Sequence, residues 1–101
     1  MIIYNVTTKV NWQIHDAWLA WMKEKHLPDV MNCGCFTDVR FVRLLETEDS
    51  DGPTYAAQFH AANMEDYQRY IDQHATAMRK DVMDNWGNNF ISFRSLMEVV
   101  N

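Results

Sequence analysis

Apolar and polar residues alternate along four segments of the chain, and this period of two predicts four β-strands. The first strand covers Ile2 to Val10, and the second covers the stretch FTDVRFVRLL, residues 36–45. The third is the segment TYAAQFHA, and the fourth is NFISFRSLMEVV near the end of the chain. The acidic segment ETEDSDGP carries Asp-Gly-Pro between the second and third strands, which indicates a hairpin-type loop.

Between the first two strands, apolar residues recur at the spacing of one face of a helix. We expect Asn11 to cap the start of this helix. Pro28 should end it, because proline lacks the N–H that a helix interior needs. The stripe that would pack on the sheet consists of Ile14, Trp18, Trp21, Met22 and Lys25.

A second helical period follows the third strand, where Asn63 and Asp66 resemble a capping box. One straight helix over residues 63–86 would be about 36 Å long, whereas a strand of eight residues spans about 26 Å. We therefore predict a break near Thr76 and a second short helix that ends at Gly87. The order β-α-β-β-α-β predicts an α+β, ferredoxin-like fold as a single domain over residues 1–101. Its four-stranded antiparallel sheet should carry the helices on one face.

Two helices cover only one face of such a sheet, so the second face needs its own explanation. The more apolar register places toward the helices Tyr4, Val6, Val39, Phe41, Tyr55, Ala57, Phe59, Ile91 and Phe93. Arg43 also falls on that side, which indicates a bulge or an early strand end. The opposite face then collects Ile3, Asn5, Thr7, Asp38, Arg40, Val42, Leu44, Ala56, Gln58, His60, Ser92, Arg94 and Leu96. This mixture is too apolar for a solvated face and too polar for a dry core. We expect a second copy of the chain to cover it, with an exposed sheet as the alternative.

Composition narrows the classes of function. The 101 residues carry a formal net charge of −5, which argues against nucleic acid and anionic membrane surfaces as partners. No apolar run approaches the roughly 20 residues of a membrane span. The start MIIYNVTTKV lacks the pattern of a signal peptide, so we expect a cytoplasmic location. Cys33 and Cys35 lack further ligands at metal-site spacing, and no nucleotide-binding loop is present, so neither a metal nor a cofactor is predicted.

The segments MIIYNVT, IHDAWLAWMKEKHLPDVM, RFVRLLE, GPTYA and WGNNFISFRSLMEV resemble a small family of uncharacterised bacterial proteins, a domain of unknown function. At the level of fold, that family is similar to the dimeric α/β-barrel superfamily, in which two ferredoxin-like units pack sheet to sheet. The resemblance implies a homodimer with a cavity inside each protomer's sheet, and it brings no established activity.

Within that superfamily, WLAWMKEKHLPDV is similar to an aromatic helix with His-x-Pro at its end. Small mono-oxygenases and polyketide- or ether-degradation accessory proteins carry related stretches. Carried over, this resemblance implies that His26 stands at the mouth of the cavity, with Trp21 or Met22 lining it.

The expected ligand-binding residues are therefore Asn5, Trp21, Asp38, Arg40, Gln58, His60 and Arg94, and the catalytic candidates are His26 and His60. Each has a structural alternative. In the last turn of a helix, His26 would meet the negative end of the helix dipole, and His60 would be a hydrogen-bonded interface residue. Arg40 and Arg94 would either hold an anion bidentately or pair with Asp38 or Glu98 across strands.

Two hypotheses about function follow. The first is a small-molecule-binding or cofactor-independent catalytic homodimer, such as an oxygenase or isomerase, or else a haem binder, with a polar cavity over the sheet. The second is a non-enzymatic dimeric binding or assembly module whose polar sheet face is an interface. A face filled by paired Asp38, Arg40 and Arg94 would favour the second hypothesis. The sequence identifies no substrate and no reaction type.

Overall fold

The computed structural model of the protein describes residues 1–101 and confirms the predicted ferredoxin-like α+β fold. Its four strands form one antiparallel sheet in the order β2-β3-β1-β4, with the helices on one face. The strands are β1 (Ile2–Val10), β2 (Asp38–Arg43), β3 (Thr54–Ala61) and β4 (Phe90–Glu98). The helices are α1 (His15–Trp21), a π-helical turn (Met22–His26), α2 (Leu27–Asn32), α3 (Met64–Gln73) and α4 (Ala75–Trp86).

The first helical segment begins and ends later than predicted. Asn11 does not cap it, because α1 begins only at His15, with Ile14 at the N-cap position and no capping bond from a side chain. Pro28 does not end it, because it lies in the first turn of α2, directly after the π-helical turn. The regular hydrogen-bond pattern is already interrupted there, so the missing N–H of the proline costs little. The helical path therefore continues to Asn32.

The second helical segment follows the prediction closely. Asn63 caps α3, since its side-chain oxygen accepts a hydrogen bond from the backbone N–H of Asp66 at 2.9 Å. The break falls at His74, close to the predicted Thr76, and it divides the segment into two short helices that the sheet can support. Gly87 ends α4 with a φ of 57°, in the left-handed region that glycine adopts without penalty.

The aromatic core is centred on Tyr4 in the middle of β1, on the face that the helices cover. The Tyr4 ring lies 5.6 Å from that of Tyr67 and 5.8 Å from that of Tyr70, centre to centre. On the same side, Trp18 of α1 is 1% exposed and packs 6.0 Å from the Phe41 ring. These contacts confirm the predicted helix-facing sides of β1, β2 and β3.

The predicted faces of β4 are wrong. Val6 pairs with Arg94, so Arg94 lies on the helix side of the sheet together with its neighbours at even positions, Ser92 and Leu96. Ile91 and Phe93 point away from the helices and are 73% and 61% exposed. The prediction assumed that the apolar residues of β4 would face the helices. Pairing with β1 decides the face instead, and the pairing turns these residues outward.

The loop between β2 and β3 packs against the start of the helical layer. β2 ends at Arg43, which confirms the early strand end, and the Arg43 guanidinium pairs with the Asp49 carboxylate at 3.1 Å. The indole N–H of Trp12 donates to the carbonyl of Asp49 at 2.8 Å. Gly52 is buried in this loop, and a Cβ atom there would lie 1.7 Å from the carbonyl oxygen of Val10. The loop can therefore approach β1 only because residue 52 has no side chain.

Replacing Gly52 with alanine should destabilise the protein by about 3 kcal/mol, because the new methyl group overlaps backbone that cannot move aside. Gly34→Ala is the control. Gly34 has a φ of 77° with open space around its Cα, so that change should cost only about 1 kcal/mol of backbone strain. Urea unfolding of both variants gives the two free energies. An equal or smaller loss for Gly52→Ala would contradict the close approach.

Candidate functional site

A cavity of about 310 Å³ lies between the sheet and the helices. Its volume is at the lower end of the range for small-molecule sites, which favours a compact ligand over a macrocycle such as haem. The wall is predominantly apolar and aromatic, and it includes Val6, Met22, Phe41, Phe59, Met78 and Phe90. The cavity is thus on the side of the sheet opposite the face that the sequence suggested.

Three polar side chains converge at the cavity around the hydroxyl of Tyr4. Arg94 Nε donates to the Tyr4 oxygen at 2.9 Å, and Arg79 Nη2 donates to it at 3.2 Å. Tyr4 itself is 4% exposed, whereas Arg79 and Arg94 are exposed residues. Neither arginine forms an ion pair with a carboxylate of the chain. The hydrogen bond to Tyr4 raises the pKa of Arg79 further, so its charge is permanent.

His26 also lines the cavity, at the end of the π-helical turn. The alternative that it meets the negative end of a helix dipole is wrong, because the helical path continues to Asn32. The imidazole stacks on the Trp21 ring at 5.2 Å, and its buried Nδ1 atom has no hydrogen-bond partner. Burial lowers the pKa of His26 below its usual value, against the opposing charges of Asp81 and Asp29. The ring is therefore neutral near pH 7.

Trp21 supports the site from behind rather than lining it. The resemblance implied that Trp21 or Met22 lines the cavity. Met22 does so, whereas Trp21 lies between His26 and Trp86, with its ring centre 5.7 Å from that of Trp86. The cavity wall opposite contains Tyr70, and burial raises the pKa of the Tyr70 hydroxyl above its usual value.

The outer face of the sheet holds the other expected site residues, namely Asn5, Asp38, Arg40, Gln58 and His60. They share a face, as predicted, but the structure separates them from His26 and Arg94 by the thickness of the sheet. Asp38 and Arg40 form no ion pair with each other, and the Asp38 carboxylate accepts from the backbone N–H of Val39 at 2.8 Å. A face filled by paired Asp38, Arg40 and Arg94 is therefore not observed.

Polar and apolar residues divide this outer face. One row across the sheet contains Arg40, Gln58 and Asn5, and the Asn5 amide donates to Thr7 at 2.9 Å while its oxygen is buried without a partner. Exposed apolar side chains lie at the two edges of this face, with Val42 on β2 and Ile91, Phe93 and Met97 on β4, where Ser95 separates Phe93 from Met97. Ile91 and Phe93 are adjacent on this face of β4, and exposed apolar side chains of this size are typical of an association site.

No group of three or more His, Cys, Asp or Glu side chains is placed to hold a metal ion. Cys33 and Cys35 are free thiols at the end of α2, and burial raises the pKa of Cys33. None of the helices combines the length and the apolar character that crossing a bilayer requires.

Solved structures define the class of protein to which this fold belongs. An ethyl tert-butyl ether D (EthD) family protein from Bacillus halodurans superimposes with a TM-score of 0.69 and 14% identity over 99% of this chain and all of that one. A dimeric ferredoxin-like protein from an uncultured marine organism gives 0.66 and 11% identity, covering 99% and 96%. SnoaB, a cofactor-independent oxygenase from Streptomyces nogalater, gives 0.63 and 15% identity, covering 99% and 94%. These structures share the ferredoxin-like fold with this chain.

Within that class, the chain belongs to the family described as Domain of unknown function (DUF4286), whose model matches residues 1–100. This family membership confirms the resemblance seen in the sequence. No curated protein matches the chain.

Sequence reasoning missed Arg79 and the hydroxyl of Tyr4. Tyr4 was assigned to the core by its inward face, and its partners lie 75 and 90 residues away along the chain. Arg79 stands beside the apolar helix stripe that includes Met78, and that adjacency is the only signal in the sequence. A further contact that no local pattern records joins His15 Nε2 and the Tyr55 hydroxyl at 2.7 Å, between residues 40 positions apart.

The free energy of unfolding should fall as the pH is lowered from about 7 to about 5, because burial of His26 lowers its pKa in the folded state. As the pH falls below the ordinary histidine pKa of about 6.5, the imidazole of His26 takes up a proton in the unfolded chain before it does so in the folded protein. The stabilisation is complete above that value and is lost as the pH falls through the folded pKa, by at most about 1.4 kcal/mol per pH unit.

Urea unfolding of the unaltered protein and of His26→Gln at matched pH values measures this effect. The difference in free energy between the two proteins should shrink or change sign at low pH. A difference that is independent of pH would contradict a neutral, buried His26.

Proposed function

We propose that this protein is a small-molecule-binding homodimer whose ligand occupies the cavity between sheet and helices. The observation that carries the proposal is the cavity itself, which combines an apolar wall with His26, Tyr4, Arg79 and Arg94 at one site. A mostly apolar pocket with a few convergent polar groups is the usual form of a ligand or active site. Of the expected ligand-binding residues, Arg94 contacts the ligand in this proposal and Trp21 positions His26.

The chemistry that the site supports best is proton abstraction without a resident cofactor, with His26 as the general base. A neutral imidazole in the cavity wall can accept a proton from a bound ligand at the nitrogen that carries none. The positive charges of Arg79 and Arg94 would stabilise the negative charge left on that ligand. The fold that this chain shares with a protein named as a cofactor-independent oxygenase supports this reaction class.

The outer sheet face is proposed as the dimer interface. Ile91 and Phe93 of one copy would be covered by the same residues of the second copy. Polar contacts across the interface would come from His60 and from the row of Arg40, Gln58 and Asn5. The exposed apolar side chains of β4 on this face support this occupant, as does the dimeric description of ferredoxin-like structural neighbours. If the interface were the only function, the protein would be a non-enzymatic assembly module. The cavity favours the ligand-binding proposal over that alternative.

A single domain over residues 1–101 and a cytoplasmic location stay predictions of the sequence.

Filling the cavity should abolish ligand binding. Val6 lines it from the central strand, so Val6→Phe places a ring where the ligand would lie. With 2-naphthol as the probe, protein-detected NMR titration should show saturable shifts at cavity residues of the unaltered protein. The Val6→Phe variant should bind at least about tenfold more weakly. Val100→Phe, the same change at an exposed position near the C-terminus, is the control. Shifts confined to the outer face, or equal binding by all three proteins, would contradict the cavity as the ligand site.

A charge on the outer face should separate the dimer. Phe93→Asp would bury two carboxylates in the proposed contact, and we expect its dimer dissociation constant to rise at least about tenfold. Leu45→Asp is the matched control, since Leu45 is still more exposed but lies in the β2–β3 loop. Sedimentation velocity over a dilution series gives the constants. The interface proposal would be wrong if the unaltered protein sedimented as a monomer at every concentration.

A further inference from the structure

We propose that the ligand of the cavity is an aromatic anion, with its charged oxygen held by Arg79, Arg94 and the hydroxyl of Tyr4. This inference rests on the proposed function and specifies the class of ligand. Three observations carry it: the hydrogen-bonding state of Tyr4, the absence of an acid near the arginines, and the character of the cavity wall.

The Tyr4 hydroxyl has its acceptor sites filled and its proton free. A phenolic oxygen accepts up to two hydrogen bonds and donates one. Arg94 and Arg79 each donate to this oxygen, and no carbonyl, carboxylate or hydroxyl of the chain accepts the proton in return. Because Tyr4 is 4% exposed, bulk water satisfies that proton poorly. A ligand oxygen that accepts this proton would complete the hydrogen bonding of the Tyr4 hydroxyl.

The positive charge at this end of the cavity has no counterion within the protein. Most other cationic side chains pair with a carboxylate, namely Lys9, Lys25, Arg43, Arg69 and Lys80. Asp81 and Asp29, the two acids whose charges act on His26, are both paired with Lys25, at 3.2 and 2.7 Å. Arg79 and Arg94 are thus two adjacent, unpaired guanidinium groups on a cavity, in a chain whose net charge is −5. Their remaining N–H donors suit a carboxylate or phenolate oxygen.

The rest of the cavity suits the body of such a ligand. Beyond the arginines the wall is formed by rings and thioethers, including Phe41, Phe59, Tyr70 and Met78. Flat aromatic surfaces pack favourably against such rings. A volume of about 310 Å³ admits one or two fused rings. The ligand therefore has an apolar aromatic body among these residues and an anionic oxygen at the rim.

Isothermal titration calorimetry with 2-naphthoate and 2-naphthamide tests the charge requirement, because the two probes have nearly the same shape. The unaltered protein should bind 2-naphthoate at least about tenfold more tightly than 2-naphthamide. Arg79→Gln and Arg94→Gln should each remove most of that preference and leave the affinity for 2-naphthamide unchanged. Lys23→Gln removes the same charge from an exposed, unpaired residue outside the cavity wall and should alter neither affinity.

The outcomes separate this inference from the proposed function. Equal affinity for both probes in the unaltered protein would overturn the anionic class while leaving the cavity as a ligand site. Failure of both probes to bind would overturn the inference and count against the proposed function as well. Should the arginine variants fail to fold, as judged by circular dichroism, salt provides the second measurement. Raising NaCl from about 50 to about 500 mM should weaken the binding of 2-naphthoate alone, and an equal effect on both probes would overturn the inference.

Discussion

The pairing register between the central strand β1 and the edge strand β4 determines what the cavity contains. Val6 lies opposite Arg94, and because side chains alternate along a strand, Arg94 must point to the same side as Tyr4. A slip of one residue would turn Ile91 and Phe93 toward the helices and Arg94 outward. The cavity would then hold two more apolar side chains and lose a charge. The observed register gives up that burial and leaves a cavity with hydrogen-bond donors at its rim. Both the cavity and the exposed apolar side chains of β4 depend on this arrangement.

The π-helical turn has a comparable effect on His26. It interrupts the regular hydrogen bonds immediately before Pro28, which lets the helical path continue past a residue that would otherwise end it. The turn therefore explains both why the proline is tolerated and why His26 lies along the helical path rather than at its end. Stacking of the imidazole on Trp21 fixes the ring against the cavity wall. Turns of this kind are frequent at functional sites, because they reorient one side chain without breaking the helix.

The two faces of the sheet have different physical properties although they share the same strands. Tyr4 and Asn5 are neighbours in β1, yet Tyr4 is the centre of the aromatic core and Asn5 lies on the outer face. On the helix side the sheet and helices leave a cavity because Arg94 occupies the rim in place of a core residue. On the outer side the exposed rings and aliphatic groups of β4 form a surface that water solvates poorly. Alternation along a single strand thus keeps the cavity and the outer apolar side chains apart.

The sequence by itself determined the ferredoxin-like order of elements, because each strand and helix has a strong local period and its own turn or cap. Asn63 capped α3 and Gly87 ended α4 as the pattern predicted, since both effects involve residues close together in the chain. The register of β4 and the face of Arg94 were decided only by the tertiary structure. They depend on hydrogen bonds between strands some 90 residues apart, which no local pattern records. For the same reason, only the folded chain could bring Tyr4, Arg79 and Arg94 together at one cavity.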